Sequence, residues 1–179
     1  MPRTISPIDA TPPRDIDGPE LPASPGRGQS SDSAFAIRRI LVVCVGNICR
    51  SPMAECVLRK HLQGRGVTVE SAGIAATNGA RIDPLALGVL AAHGIDADGH
   101  VARRLEQAML DAADLVLVME RAHLDFIRAR FPSATGKTFL LGRWLGEFEM
   151  PDPLGRPRET FEHLYRAVER AAHRWCELI

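Results

Sequence analysis

From Ala36 onward, apolar positions recur with two alternating periods. Arg39-Ile40-Leu41-Val42-Val43-Cys44-Val45 is a short, β-rich apolar run of the kind a buried strand carries. A Gly46-Asn47 turn follows, and Ser51-Pro52-Met53-Ala54-Glu55 then opens a helix. Ser51 suits its N-cap, Pro52 suits its first position, and Ala54, Val57, Leu58 and Leu62 form an apolar face at 3.6-residue spacing. Gly64 and Gly66 end it, and 67–73 reads as a second strand. A short helix is predicted over Pro84 to His93, closed by Gly94, and another over Leu105 to Leu110. Asp114 to Met119 is a third strand, followed by a helix over 120–130, and Lys137 to Leu141 is a fourth strand. The last helix covers 159–178, with Phe161, Leu164, Tyr165, Val168 and Ala172 as its apolar stripe. Strands alternating with helices predict an α/β fold: a doubly wound, four-stranded parallel sheet with helices on both faces. No internal repeat is present.

Residues 1–36 lack that periodicity. Seven of the 13 prolines stand there (Pro2, Pro7, Pro12, Pro13, Pro19, Pro22 and Pro25), with Gly18, Gly26, Gly28 and serines 30, 31 and 33. Such a stretch buries too little surface to offset its ordering entropy, so it reads as a disordered tail before a domain over 37–179. The chain's 179 residues suit one domain plus that tail, and a hydrophobic content of 45% supports a sizeable core. A formal net charge of zero, without a basic stripe, argues against nucleic acid as partner. No apolar run approaches the roughly 20 residues of a membrane helix, and no secretory leader pattern stands at the start. Cys44, Cys49, Cys56 and Cys176 do not form the framework of a small secreted domain. They read as reduced thiols in a cytoplasmic setting, and their spacing fits no common zinc-ligand pattern.

The chemistry concentrates in Val43-Cys44-Val45-Gly46-Asn47-Ile48-Cys49-Arg50-Ser51-Pro52. A Cys and an Arg, separated by five residues, lie between a strand and a helix. In that setting the N–H groups of a tight loop, from Val45, Gly46, Asn47, Ile48 and Cys49, converge on one point, and the helix start adds its positive dipole end. Gly46 is expected to supply an unusual backbone angle. Arg50 can grip two oxygens of a phosphate with its planar fork and keep that grip as charge redistributes. The same field favours a Cys44 thiolate, the nucleophilic form, and Ser51 can donate a hydrogen bond to the sulfur. From the residues alone, a buried structural cysteine in an ordinary strand-to-helix turn remains an alternative, weakened by the full string before a helix.

This chain resembles the low-molecular-weight protein tyrosine phosphatases over about Arg39 to Trp175. Beyond the Cys-Arg loop, Ser71-Ala72-Gly73, His100-Val101-Ala102-Arg103, the run Asp114 to Glu120 and Met150-Pro151-Asp152-Pro153 fall in the family's order. The stretches Gly136-Lys137-Thr138 through Gly142-Arg143-Trp144 and Arg158-Glu159-Thr160-Phe161 look most like the bacterial branch, whose members partner tyrosine kinases of exopolysaccharide or capsule export. The resemblance implies hydrolysis of phosphotyrosine on a protein substrate through a phosphocysteine. Cys44 is then the nucleophile, Arg50 the phosphate clamp and Asp152 the general acid that protonates the leaving oxygen and later activates water. It further implies that Asn47, Ser71 and His100 brace the loop, and that Cys49 is a vicinal redox partner of Cys44. Without it, Asp152 is an aspartate in a turn between two prolines, His100 a surface or cap histidine, and Cys49 a small space-filling residue. Cys56 and Cys176 read as packing residues. No metal or organic cofactor is implied, because thiolate and loop supply the chemistry.

The chain departs from the family where many members place aromatics: Leu154 follows Asp152-Pro153, and Thr77 occupies an aromatic wall position. Three other functions fit the same string less well. An arsenate reductase needs two further relay cysteines, and none lies between Cys56 and Cys176. A phosphoarginine phosphatase tends to place Thr where Ile48 stands. A non-catalytic phosphate-binding module is expected to have lost Cys44 or Asp152.

Overall fold

The computed structural model describes residues 36–179; the predicted tail lies outside the described residues except for Ala36. Four strands, β1 (Arg39–Cys44), β2 (Thr68–Gly73), β3 (Leu115–Val118) and β4 (Thr138–Leu140), form one sheet in the order β2-β1-β3-β4. All three pairings are parallel. Five helices alternate with them: α1 (Arg50–His61), α2 (Pro84–Ala92), α3 (Gln107–Ala112), α4 (Arg121–Arg130) and α5 (Arg158–Cys176).

The period-2 geometry of β1 divides the core in two. Ile40, Val42 and Cys44 join Leu115, Leu117 and Met119 against α1, α2 and α5. Leu41 and Val43 join Val116 and Val118 against Leu110 of α3 and Ile127 of α4. With both faces covered, β1 and β3 can be apolar at every buried position. The stripe expected on α5 is buried in full, and Ala171 and Trp175 extend it. Fully burying a side chain such as Phe161 stabilises the fold by about 1.5–3 kcal/mol.

The edges of several elements differ from the pattern-based expectation. The third strand begins at Leu115 because the Asp114 carboxylate turns back to accept the N–H groups of Arg38 and Arg39, each at 2.8 Å. Those bonds hold its carboxyl below the ordinary range. Helix α3 starts two residues late because Arg103–Leu105 is tied to the end of β2: Gly73 N–H donates to Arg103 O and Leu105 N–H to Gly73 O. Ser51 is not an N-cap. Cys49 holds that position, α1 begins at Arg50, and Pro52 is its third residue, still within the first turn where a helix needs no N–H. Short 3₁₀ turns at Pro132–Lys137 and Arg143–Leu145 were not signalled by periodicity.

The chain passes from β1 through α1 to β2 on one side, and from β2 through α2 and α3 to β3 on the other side of β1. The loop after β1 therefore sits at the switch in strand order, where open α/β sheets take ligands beyond the carboxyl ends of their strands. Among the described residues, no helix is long and apolar enough to cross a membrane.

Candidate active site

Cys44 is the last residue of β1 and is 2% exposed. The loop that follows is held from outside by its carbonyls. Cys44 O accepts from Ile74 N–H at 2.9 Å, Val45 O from Ala75 N–H at 3.0 Å and Ile48 O from Asp83 N–H at 2.8 Å. Asn47 O accepts from His100 Nε2 at 2.8 Å. In a trans peptide the N–H points opposite to the C=O. Four outward carbonyls therefore turn the N–H groups of Val45, Gly46, Ile48 and Cys49 to the concave side. The N–H of Asn47 already points at the Cys44 sulfur, at 3.2 Å. The concave side is a ready anion cradle beside the start of α1.

The unusual backbone angle expected of Gly46 belongs instead to Asn47, whose φ is 54°. A Cβ on Gly46 would meet only the Ile48 side chain. Asn47 tolerates the left-handed region because its fully buried side chain is bonded on every side. Its Oδ1 accepts Arg103 N–H at 2.9 Å, which fixes the amide orientation. Its Nδ2 then donates to Ser51 Oγ at 2.9 Å and to Ser71 Oγ at 2.8 Å. With its oxygen occupied as acceptor, Ser51 turns its hydroxyl hydrogen to the Cys44 sulfur, 2.9 Å away. Ser71 donates onward to the Glu55 carboxylate, which also pairs with Arg59. Asn47, Ser71 and His100 are thus brought together around the loop.

Gly73 supports the loop from below. A Cβ there would lie 2.6 Å from Val45 O and 2.9 Å from Asn47 N, so only glycine permits the approach.

Arg50 is 3% exposed and carries two carboxylates on one fork. Nη1 pairs with Glu120 and lies 3.3 Å from Met150 O; Nη2 meets Asp152 Oδ2 at 2.5 Å. Asp152 Oδ1 accepts Leu154 N–H at 3.1 Å, so the two prolines around it frame a small turn. Together Cys44, Val45, Gly46, Ile48, Cys49, Arg50, Asp152 and Leu154 line a cavity of about 100 Å³. Thr77 is exposed and does not line it. A second cavity of about 430 Å³, lined in part by Glu55, Ser71, His100 and Arg103, reaches the bracing residues from a side that holds none of Cys44–Arg50.

Cys49 shares the small cavity with Cys44. Burial, with Asp83, Asp152 and the Cys44 sulfur adding to it, pushes its thiol up to about 12. Cys56 is buried in the helical core, its thiol pushed up to about 11, and Cys176 packs against that core. No cluster of metal-ligating residues occurs among the described residues.

Sequence reasoning did not assign Glu120, Glu55 or Arg103 to the site. Glu120 had a signal, since it stands just past the carboxyl end of a buried parallel strand. Arg103 stood in the string His100–Arg103; it braces Asn47 through its backbone N–H and β2 through Nε, which donates to Ser71 O at 2.8 Å.

A thiol at the bottom of an anion cradle, one guanidinium beside it and a carboxylate on that guanidinium form a set suited to displacement at phosphorus. Residues 39–179 match the family model described as low molecular weight phosphotyrosine protein phosphatase. The chain belongs to that family. It is 44% identical over 138 residues to the low molecular weight protein-tyrosine-phosphatase Etp of Escherichia coli K12, covering 77% of this chain and 92% of the relative. Vibrio vulnificus Wzb in complex with benzylphosphonate superposes with a TM-score of 0.77 at 40% identity, over 80% of this chain and all of that one. The YwlE arginine phosphatase from Geobacillus stearothermophilus superposes with a TM-score of 0.74 at 38% identity, over 78% of this chain and 91% of that one.

Proposed function

We propose that this protein hydrolyses phosphotyrosine in protein substrates through a phosphocysteine intermediate. The phosphate enters the cradle of inward N–H groups, Arg50 exchanges Asp152 for two phosphate oxygens, and the released Asp152 carboxylate takes a proton from solvent. Cys44 attacks in line as the ester bond breaks, and the departing phenolic oxygen takes its proton from Asp152. The Ser51 hydroxyl stabilises the thiolate before attack and the sulfur leaving group in the second step, when Asp152 takes a proton from the attacking water. The N–H cradle and Arg50 hold the equatorial oxygens throughout. The observation that carries this reading is the shared guanidinium: Arg50 holds Asp152 at the mouth of the same cavity that has Cys44 in its lining.

Hydrolysis of para-nitrophenyl phosphate, run beside Cys44→Ser, tests it. The variant is expected to lose turnover below detection while still binding phosphate, because the cradle and Arg50 remain. Substantial turnover by the variant would remove Cys44 as nucleophile.

Likeness to an arginine phosphatase supports a second reading, with phosphoarginine as substrate. Ile48, which lines the cavity, offers no hydroxyl to a guanidino group, and this favours the phenolic ester. Phosphotyrosine and phosphoarginine peptides assayed side by side separate the two. A cytoplasmic tyrosine kinase of exopolysaccharide export is the partner that the bacterial branch favours, and Etp and Wzb are relatives within that branch. Dephosphorylation of such a kinase by this enzyme, absent with Cys44→Ser, is the corresponding test. Cys49 is read as the thiol that traps an oxidised Cys44 as a disulfide, from its place in the same cavity.

A further inference from the structure

One buried titratable side chain beside the site has no part in this chemistry. His123, in the first turn of α4, is 3% exposed, and neither ring nitrogen has a hydrogen-bond partner among the described residues. A buried imidazole N–H left unpaired costs about 1–3 kcal/mol, so such a group calls for a physical reason. Its nearest polar neighbour is Glu120: Nε2 lies 3.9 Å from Oε2, too far for a hydrogen bond but within a small side-chain rotation of one. The other carboxylate oxygen, Oε1, holds Arg50. Glu120 therefore stands between two donors and serves only one.

We propose that His123 is a positioning residue that receives Glu120 when a tetrahedral dianion occupies Arg50, and that anion binding thereby brings a proton onto the His123 ring. This rests on the phosphatase reading of the Cys44–Arg50 loop. With two carboxylates on its fork, the positive charge of Arg50 is more than offset before any anion arrives. A phosphate dianion displaces Asp152, which takes up a proton from solvent and can then act as an acid, but Glu120 stays and repels the newcomer. Turning the Glu120 carboxylate toward His123 reduces that repulsion and satisfies the buried ring.

The charges around His123 set the direction of the coupling. They are Arg50 from α1, Glu120 at the head of its own helix, and Asp152 and Glu149 from the segment around Met150. Burial first, and Arg50 next, hold the ring below its ordinary pKa, so it is neutral at pH 7. A dianion on Arg50 puts two negative charges where Asp152 had put one, and a nearer Glu120 attracts. Both changes raise the proton affinity of the ring, so a proton is taken up from solvent.

Sulfate is the probe, because it stays a dianion between pH 5 and 8 and contributes no proton of its own. The His123 ring is followed by NMR, assigned as the signal missing from His123→Gln. At saturating sulfate its titration is expected to move up by about one unit, and sulfate affinity to fall by as much as about tenfold as pH rises from 5 to 8. His123→Gln, which keeps a donor, is expected to retain most of the affinity without that pH dependence; His123→Phe is expected to lose about three- to tenfold at pH 6. A ring titration that sulfate leaves unchanged in the wild-type protein would overturn the proposal, whatever the variants do. Sulfate binding with that unmoved ring would leave the phosphatase reading intact; no binding at all would overturn both.

Discussion

The two halves of the site are built on opposite plans. The loop Cys44–Arg50 is buried, and almost every polar atom that shapes it has a partner from another element: Ile74 and Ala75 after β2, Asp83 before α2, then His100 and Arg103. The segment carrying Asp152 is exposed at the acid itself, whose side chain is 45% accessible, and at Leu154, which is 54% accessible. It is anchored at one end, where Met150 N–H donates to Met119 O at 2.8 Å, and Asp152 is held to the loop through Arg50 alone. The difference matches the two tasks proposed for these halves. An anion cradle must be shaped before its ligand arrives, since any reorganisation detracts from binding to the transition state. A general acid must release one partner and reach another as charge develops, so it belongs on a segment with few ties.

Asp152→Asn sharpens this contrast most. It is expected to slow phosphoenzyme formation by about 10²–10⁴-fold for poor leaving groups, and far less for aryl phosphates whose phenolates are already stable. The melting temperature should stay nearly unchanged, because the segment is exposed and weakly tied. Single-turnover rates across a series of aryl phosphates, with melts of both proteins, decide. A variant rate that depends on leaving-group pKa just as the parent rate does would remove Asp152 from the chemistry and leave it a turn residue.

Asn47 tests the opposite half. Asn47→Ala takes one donor each from Ser51 and Ser71 and the acceptor from Arg103 N–H, and places a Cβ-bearing residue without compensating bonds at a φ of 54°. A loss of about 1–3 kcal/mol of stability is expected. Activity should fall by up to about 100-fold, the scale of effect that misplacing a reacting group produces. Asn47→Gly removes the backbone strain and keeps the lost bonds lost. If Gly restored activity, the hydrogen bonds would be dispensable and the loop less over-determined than its contacts indicate.

What could be read from the sequence follows the same division. β1, the Cys44–Arg50 string and the start of α1 are legible because their cause is local: an apolar run, a tight turn, a proline within the first helical turn. The order of elements follows from periodicity, while their edges shift where a long-range bond intervenes, as Asp114 and Arg103–Leu105 do. The backbone strain went to Asn47 rather than Gly46 because a buried side chain with three hydrogen bonds outweighs the freedom of glycine, and no single-residue preference encodes that. Asp152 was reached only by resemblance. Its role depends on Arg50, 102 positions away, and periodicity has no access to such a distance. His123 left no trace, since nothing in the α4 pattern distinguishes a histidine packed on Glu120 from one that fills space.

Cys49 lies where the two halves meet, and its chemistry offers a finer test. With its thiol pushed up to about 12, only about one part in 10⁵ is thiolate at pH 7. Attack on an oxidised Cys44 needs that thiolate. Disulfide closure after a peroxide pulse is therefore expected to accelerate about tenfold per pH unit from 7 to 9, and to be absent in Cys49→Ser, which should over-oxidise instead. Mass mapping at timed quench points reads both. A pH-independent yield of the Cys44–Cys49 disulfide would mean that Cys49 is not held protonated by its surroundings.

The smallest expected effect concerns the outer edge of the open half. Leu154 lines the cavity mouth beside Asp152, where an aromatic side chain would lie against the ring of phosphotyrosine. An aliphatic side chain gives apolar contact without the edge or face preference of a ring. Leu154→Phe is expected to add about 0.5–1.5 kcal/mol of aromatic pairing, so KM for aryl phosphates should fall by about two- to tenfold. Because that contact is made equally in the ground state and the transition state, kcat should hardly change. Stability should also hold, since the position is exposed and the buried loop does not depend on it. Two alternatives predict something else. If Leu154 mainly sets the turn that receives its N–H on Asp152, the variant should lower kcat for every substrate, with the loss greatest for poor leaving groups. If the mouth takes a non-aromatic substrate, KM should rise for a phosphoarginine peptide and stay flat for aryl phosphates. Paired kinetics on aryl, alkyl and guanidino phosphates separate these outcomes. A fall in KM confined to the aryl esters would place the ring of the substrate against residue 154, on the exposed half of the site, with the phosphate held by the buried half.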